Sequence, residues 1–136
     1  MTKQLKQLVR ERARGRCEYR LSREDHSPDA FSLEHIIPRA AGGDSSEANL
    51  ALACQRCNNH KYNKTHALDP LNGIAAPLFN PRKDNWREHF MWGDDYAIIR
   101  GLTPTGRATV NELQVNRDGV VNLRRLLVLA GKHPPT

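Results

Sequence analysis

The pattern that most constrains the fold of this chain is a pair of short strand-like segments followed by a polar segment. Residues 31–37 alternate enough to be a short strand, residues 50–53 form a short apolar run, and a proline and a pair of glycines lie between them. Short runs bounded by turn residues favour β-strands, and proline and paired glycines interrupt strand pairing. Residues 55–64 contain no proline or glycine and can form a helix. The sequence therefore predicts two strands, a flexible loop between them and a following helix.

The N-terminal segment favours a basic amphipathic helix. Leu5, Leu8 and Val9 lie at helical spacing within residues 3–14. Residues 1–23 carry eight lysines and arginines but only two glutamates. The basic face either is simply solvated or contacts a polyanion, and the sequence leaves both interpretations open.

Proline and glycine become frequent in the segment after the predicted helix. Residues 69–85 are therefore predicted to follow a surface without regular structure. A hairpin is predicted with strands at residues 88–92 and 96–100, and two helices are predicted at residues 103–115 and 120–130. The first of these helices would begin with a capping threonine and a proline in its first turn.

The length of 136 residues suits one compact domain rather than two full ones. We therefore predict that residues 1–66, the core with its N-terminal helix, and residues 67–136, a C-terminal extension, pack as one compact unit. Because helices and short antiparallel strands are both expected, the predicted fold class is α+β.

The charge of the chain favours an anionic partner. The chain has 21 lysines and arginines against 15 aspartates and glutamates, which gives a formal net charge of +6. Nucleic acid is the commonest partner of such a balance, although many basic proteins bind nothing specific. No apolar run reaches the roughly 18–20 residues of a membrane span, and the N-terminus lacks the apolar part of a signal peptide. The expected location is therefore the cytoplasm.

Side chains that can hydrolyse a phosphodiester are concentrated in the predicted core. His35 is the candidate general base, because a neutral imidazole accepts a proton from water near physiological pH. Glu34 and Asn58 offer oxygen ligands of the kind that Mg²⁺ prefers. Asn49 is the candidate for holding the His35 ring or its loop by hydrogen bonds.

Each of these residues also has a structural interpretation. A single histidine is more often a surface or core residue, and an asparagine beside a helix is usually a cap. Glu34 and His35 are neighbours on a predicted strand, so their side chains point to opposite faces unless the backbone bends. The proline and glycines of the following loop permit such a bend.

The chain has three cysteines, and two of them form the pair Cys54-x-x-Cys57. In a chain without an export signal, such a pair is expected to bind metal or to stay reduced rather than form a disulfide. A zinc site would need ligands from elsewhere in the chain, because tetrahedral zinc takes four.

The order and spacing of these residues resemble the HNH family of metal-dependent endonucleases over about residues 10–65. The likeness rests on Cys17-Glu18-Tyr19, Phe31-x-Leu33-Glu34-His35-Ile36-Ile37-Pro38-Arg39, Gly42-Gly43, Asn49-Leu50-Ala51-Leu52 and Cys54-x-x-Cys57-Asn58-x-x-Lys61. A second set resembles the C-terminal extension of one bacterial HNH subgroup: Pro77-Leu78-Phe79-Asn80-Pro81-Arg82, Trp86-x-x-His89-Phe90 and Leu102-Thr103-Pro104-Thr105-Gly106-Arg107-Ala108-Thr109.

The resemblance implies a ββα-metal core, and the sequence patterns add the basic N-terminal helix and an extension built from a hairpin and helices. It implies that a histidine activates water for in-line attack on a DNA phosphodiester. Mg²⁺, Mn²⁺ or another divalent ion would polarise the phosphate and stabilise the leaving 3′ oxygen. Carried over by position, His35 is the base, Asn49 orients it, and Glu34 and Asn58 bind the metal.

A structural zinc site is the second expectation that the resemblance raises. Many family members carry two CxxC pairs that hold zinc, but Arg20 stands where the second thiol of the first pair belongs. Arginine stays protonated and cannot ligate zinc. Cys17, Cys54 and Cys57 remain as ligands, and His26 can complete a Cys₃His site if its loop folds back. Otherwise the thiols are small buried residues of a site without metal.

DNA is the partner that the resemblance implies, and Arg39, His60 and Lys61 are the candidates for contacting its phosphates. Each of the three is otherwise a solvated side chain. The leading hypothesis is an endonuclease that nicks DNA, or cuts both strands as a homodimer or within a larger complex. The alternative is a zinc-stabilised DNA-binding module that has lost cleavage.

Overall fold

The computed structural model describes residues 1–135, and the chain forms two compact units. The first unit comprises Met1–Thr65 and Asn80–Asp84, and the second comprises His66–Phe79 and the residues from Asn85 onward. Residues 80–84, predicted as part of the extension, thus belong to the first unit. Helices and short antiparallel strands occur together in the chain, which confirms the predicted α+β class.

The first unit begins with helix α1 (Lys3–Arg12), which buries Val9. The Thr2 side chain caps this helix by accepting a hydrogen bond of 3.1 Å from the Leu5 amide. At the other end of α1, Arg12 donates hydrogen bonds of 2.8 and 2.7 Å to backbone carbonyls of Glu47 and Leu50. Arg12 therefore stabilises the folded unit through these hydrogen bonds.

Strands β1 (Ser32–His35) and β2 (Leu50–Ala53) pair as an antiparallel hairpin. Strand β2 is buried along its whole length, whereas on β1 only Glu34 is buried. The end of the loop between the strands packs closely against its start. A Cβ atom at Gly43 would lie 1.8 Å from the carbonyl oxygen of Ile37, so only glycine fits there.

Helix α2 (Gln55–Lys61) follows β2 directly. The sulfur of Cys54 caps it by accepting a hydrogen bond of 3.4 Å from the Cys57 amide. Cys57 and Lys61 are the buried residues of the helix, and they lie one turn apart on the same face. A lysine is rarely buried unless its charge is paired, so the partners of Lys61 determine how this face packs.

The second unit is built from hairpins and helices. Its elements are β3 (His66–Leu68), β4 (Ala75–Pro77), α3 (Trp86–His89), β5 (Phe90–Trp92), β6 (Ile99–Gly101), α4 (Pro104–Glu112) and α5 (Asp118–Leu129). Strand β3 pairs with β4, and β5 pairs with β6, both antiparallel. Thr103 caps α4 by accepting a hydrogen bond of 3.0 Å from the Gly106 amide, which confirms the predicted cap. None of the helices within residues 1–135 has the length and apolar character that crossing a membrane requires.

The prediction that residues 69–85 lack regular structure is wrong for β4. The turn before this strand is held by Asp69, whose buried carboxylate accepts a hydrogen bond of 2.9 Å from the Leu71 amide. Arg107 of α4 donates to the same carboxylate at 2.8 Å. Because Arg107 lies 38 residues further along the chain, no local sequence pattern could indicate this ion pair.

Candidate active site and cysteine cluster

His35 is the last residue of β1, and its ring is held at one nitrogen. Nε2 lies 2.8 Å from the hydroxyl oxygen of Ser45, which also accepts a hydrogen bond of 3.0 Å from the Arg39 guanidinium. Nδ1 makes no hydrogen bond to any residue from 1 to 135. Since the ring is half-buried, this second nitrogen remains available to a water molecule.

The surroundings of His35 favour the neutral form of its ring. Burial lowers the pKa of His35 below its ordinary value of 6.5, and the charges of Arg39 and Lys61 lower it further. The carboxylate of Asp44 raises this pKa, but it does not cancel the other effects. For Nδ1 to accept a proton from water, the hydrogen of the neutral ring must be on Nε2. The Nε2–H group then donates a hydrogen bond to the Ser45 hydroxyl oxygen. The observed contact is compatible with that tautomer.

Asn49 is buried and fixes the loop that follows β1. Its Oδ1 accepts a hydrogen bond of 2.9 Å from the Ile37 amide. Its Nδ2 donates to the carbonyl oxygens of Ile37 at 3.0 Å and of Asp44 at 2.8 Å. These bonds join the two ends of the loop on which Arg39 lies. Asn49 thus holds the loop beside His35 and makes no direct hydrogen bond to the ring.

Glu34 lies on the other face of β1 and is 4% exposed. It accepts a hydrogen bond from the Tyr19 hydroxyl, and the Lys61 ammonium lies 3.2 Å from its second oxygen. Burial raises the pKa of Glu34, while the charge of Lys61 and the bond from Tyr19 partly offset that rise. Glu34 and His35 both stay in regular register with β2, so no bend brings them into one site. To bind a metal beside His35, Glu34 would first have to leave Lys61.

The three predicted phosphate contacts lie in different environments. Arg39 is exposed and His60 is half-buried, so both can meet a polyanion at the surface. Lys61 is 2% exposed, and besides Glu34 its ammonium contacts two backbone carbonyls at the end of β1. Lys61 would have to give up all of these partners to reach a phosphate.

Asn58, the second predicted metal ligand, lies on α2 one turn before Lys61. It is half-buried, and its side-chain amide makes no hydrogen bond within the described part of the chain. Its oxygen is therefore free to accept a ligand. The predicted donors fit a divalent ion only in part, because the one carboxylate among them is paired with an ammonium group that repels cations.

Cys17, Cys54 and Cys57 form a closed cluster. Their sulfur atoms all lie within 4.8 Å of one another, and all three cysteines are buried and free of disulfides. Hydrogen bonds from Cys17 and Cys57 lower the pKa of Cys54, whereas burial raises the pKa of Cys17. Three thiols arranged in this way can hold a metal ion, and sulfur ligands favour zinc.

The surroundings of the thiols offer a positive charge in place of a fourth ligand. Arg20 is near enough for its charge to lower the pKa of Cys54. Its Nε donates a hydrogen bond of 3.0 Å to Ser22, and one terminal nitrogen is buried without a hydrogen-bond partner among residues 1–135. The structure does not bring His26 into the cluster, and its Nε2 lies 3.8 Å from Asp25. The site therefore supplies three of the four ligands that tetrahedral zinc requires.

Two residues of these networks were not predicted from the sequence to be site residues. Ser45 lies in a polar loop, where one serine cannot be distinguished from its neighbours by pattern. Tyr19 belongs to the segment after Cys17, but nothing local indicates that its hydroxyl reaches Glu34, 15 residues further along the chain.

The residues of the candidate site lie in a segment that matches a known family. Residues 15–64 match the family model described as HNH endonuclease. The matched segment contains the hairpin β1–β2, helix α2 and all three cysteines. The chain therefore carries a domain of the HNH family. Searches of curated proteins and of solved structures gave no significant match.

Proposed function

We propose that this chain is an endonuclease that hydrolyses phosphodiester bonds of DNA, with His35 as the general base. Membership of the HNH family supports nuclease activity, and the net charge of +6 supports a nucleic-acid substrate. The observation that carries the proposal is the His35 ring, which is held at Nε2 and leaves Nδ1 for water.

The proposed step begins with a water molecule hydrogen-bonded to Nδ1 of His35. Nδ1 accepts a proton while the water oxygen forms a bond to phosphorus. The bond from phosphorus to the 3′ oxygen breaks, and its electron pair leaves with that oxygen, which takes up a proton from solvent. Ser45 accepts a hydrogen bond from the Nε2–H group throughout. This bond keeps the ring in the tautomer that the step requires.

HNH domains bind divalent metals, and such an ion supplies charge that polarises the phosphate and stabilises the leaving oxygen. Of the predicted ligands in this chain, Asn58 has an amide oxygen that no described residue uses. The carboxylate of Glu34 is paired with Lys61 and does not fit a cation in this arrangement. Arg39 is exposed beside Ser45 and supplies positive charge for the phosphate.

Nicking of supercoiled plasmid in Mg²⁺ or Mn²⁺, with and without EDTA, tests the proposal. We expect the wild type to nick only without EDTA, and His35→Ala to abolish nicking while folding and DNA binding stay near wild type. The matched control is His66→Ala, which removes an exposed histidine of the second unit and should leave the rate unchanged. Nicking by His35→Ala at the wild-type rate would remove His35 from the role of base.

A second candidate function is a DNA-binding module that has lost cleavage. The pairing of Glu34 with Lys61 favours it, because it leaves the predicted metal site without a free carboxylate. This function predicts a mobility shift of plasmid fragments without nicking in either metal. The cytoplasmic location and the pairing of two chains stay predictions.

A further inference from the structure

Three titratable side chains lie buried under β1, on the face opposite to His35. Tyr19 is 2%, Glu34 is 4% and Lys61 is 2% exposed. The Tyr19 hydroxyl donates to one carboxylate oxygen of Glu34, and the Lys61 ammonium lies 3.2 Å from the other. Glu34 would have to be accessible to act as a metal ligand, and Lys61 would have to be accessible to contact a phosphate. Both side chains are buried.

The ammonium group of Lys61 also reaches the backbone. Its Nζ donates to the carbonyl oxygens of His35 at 3.3 Å and of Ile36 at 2.9 Å. Together with Glu34 these make three acceptors, which match the three N–H donors of an ammonium group. Two of the three acceptors belong to the proposed base and to the residue that follows it.

The backbone groups of residues 35–37, at the end of β1 and just after it, are held by consecutive hydrogen bonds. Lys61 holds the carbonyls of His35 and Ile36, and the Ile36 amide donates to the Asn49 carbonyl at 2.9 Å. The Asn49 side chain then holds both polar backbone groups of Ile37. Lys61 of α2 and Asn49, the residue before β2, thus hold the chain from two sides immediately after His35.

We propose that Lys61 is a positioning residue for His35, and that Glu34 and Tyr19 hold Lys61 in place. The proposal rests on the proposed function of His35 as base, and it gives Glu34 a role other than metal ligand. Glu34 compensates the ammonium charge, which would otherwise be costly to bury. Because a shift of about 1 Å in a reacting group can cost about 10²-fold in rate, a clamp at this point controls the alignment of base and water.

The positioning role predicts a specific kinetic pattern. Lys61→Met and Glu34→Gln should each lower kcat about 10–100-fold. The KM for plasmid and the Mn²⁺ concentration for half-maximal cleavage should change less than about twofold. The double variant Glu34→Gln/Lys61→Met should be no slower than either single variant, because the two residues act as one unit.

The double variant also protects the test against unfolding, since it leaves no uncompensated buried charge. If a single variant does not fold, the double variant carries the test with the same expected fall in kcat. Lys83→Met and Glu47→Gln are matched controls, because both residues are exposed. Both controls should keep the wild-type kcat.

Two kinetic outcomes would replace the proposal with the earlier predictions. An Mn²⁺ requirement raised more than about tenfold in Glu34→Gln, with Lys61→Met unchanged, would identify Glu34 as a metal ligand. A raised KM for plasmid with unchanged kcat in Lys61→Met would identify Lys61 as a phosphate contact. Wild-type kcat in the double variant would also overturn the proposal.

Hydrogen exchange separates this proposal from the nuclease activity itself. The amides of Ile36 and Ile37 should exchange more than about tenfold faster in the double variant than in Lys83→Met, because local opening becomes easier without the clamp. If the wild type does not nick DNA, the proposed function fails, while exchange still tests the clamp. Unchanged exchange at both amides would overturn it.

Discussion

The His35 site and the cysteine cluster draw on the same hairpin and the same short helix, but they present their reactive atoms in opposite ways. The His35 ring is half-buried and is held at one nitrogen only. Cys17, Cys54 and Cys57 are at most 1% exposed, and their sulfur atoms face one another. A phosphate can approach the imidazole, whereas it cannot reach the thiols.

If the proposed function holds, this difference predicts that one region sets the cleavage rate and the other the stability. A buried cluster contributes to the free energy of unfolding through packing and internal bonds, and a half-buried ring contributes little to it. Substitutions in the two regions should therefore have crossed effects. A change at His35 should lower the cleavage rate and leave the stability unchanged. A change in the cluster should lower the stability, while the folded fraction of the protein keeps the wild-type cleavage rate.

The largest effect is expected from His35→Ala. Losing the proposed general base should lower kcat about 10²–10⁴-fold. The unfolding midpoint should hardly move, because the lost hydrogen bond to Ser45 is worth about 1 kcal/mol. Single-turnover cleavage and thermal unfolding of the same preparation check both statements. A large fall in the unfolding midpoint would mean that His35 is structural as well, and the comparison would break.

Cys57→Ser is the matched change in the cluster. A hydroxyl in this closed site is smaller and more polar than the thiol, and we expect the free energy of unfolding to fall by about 1–3 kcal/mol. The kcat of the folded protein should stay at the wild-type value. Urea unfolding measures the first and nicking at saturating plasmid measures the second. A fall in kcat at full folding would show that the cluster influences His35.

Arg20→Cys sharpens the comparison by supplying the missing thiol. With four sulfur ligands the cluster should bind about one equivalent of zinc per chain, while the wild type should retain less than about a tenth of an equivalent after purification. Zinc should then raise the unfolding temperature of the variant only. Metal analysis and thermal unfolding with and without zinc check this. A full equivalent of zinc on the wild-type protein would contradict it.

The smallest expected effect concerns pH. The pKa of His35 is lowered below 6.5. If His35 is the base, kcat/KM should therefore fall only below that pH. For stability the sign is the same: the unfolded chain takes up the proton first, so unfolding becomes easier as the pH falls from 6.5 to the folded pKa. A profile of kcat/KM from pH 5 to 8 measures the midpoint. A midpoint above 6.5 would show that the ring is charged more readily than the structure implies.

Elements in both units could be predicted because their signals are local. In the first unit a proline and a glycine pair delimit β1, β2 and their loop, and in the second unit the capping threonine marks the start of α4. Likewise the sequence suggested that Asn49 holds the ring or the loop, and the structure adds which backbone groups it bonds. Signals of this kind depend on neighbouring residues, which the order of amino acids contains.

The partners of Glu34 and His35 could not be predicted because they come from distant residues. Strand alternation indicates that Glu34 and His35 face opposite ways, but it does not say what fills each side. Lys61 lies 25 and 26 residues away from the two carbonyls that it binds. Ser45 lies in a loop with other small polar residues, and no sequence pattern shows which of them contacts the His35 ring. Only the packed structure distinguishes these contacts.

The hydrogen bonds of Asn49 have a practical consequence for engineering. They close the loop at its base, between Ile37 and Asp44, while residues 39–42 lie exposed beyond that closure. Lengthening a closed loop is inexpensive, because each doubling costs only about 0.6 kcal/mol. A reporter peptide grafted between Ala40 and Ala41 would therefore leave the end of β1 in place.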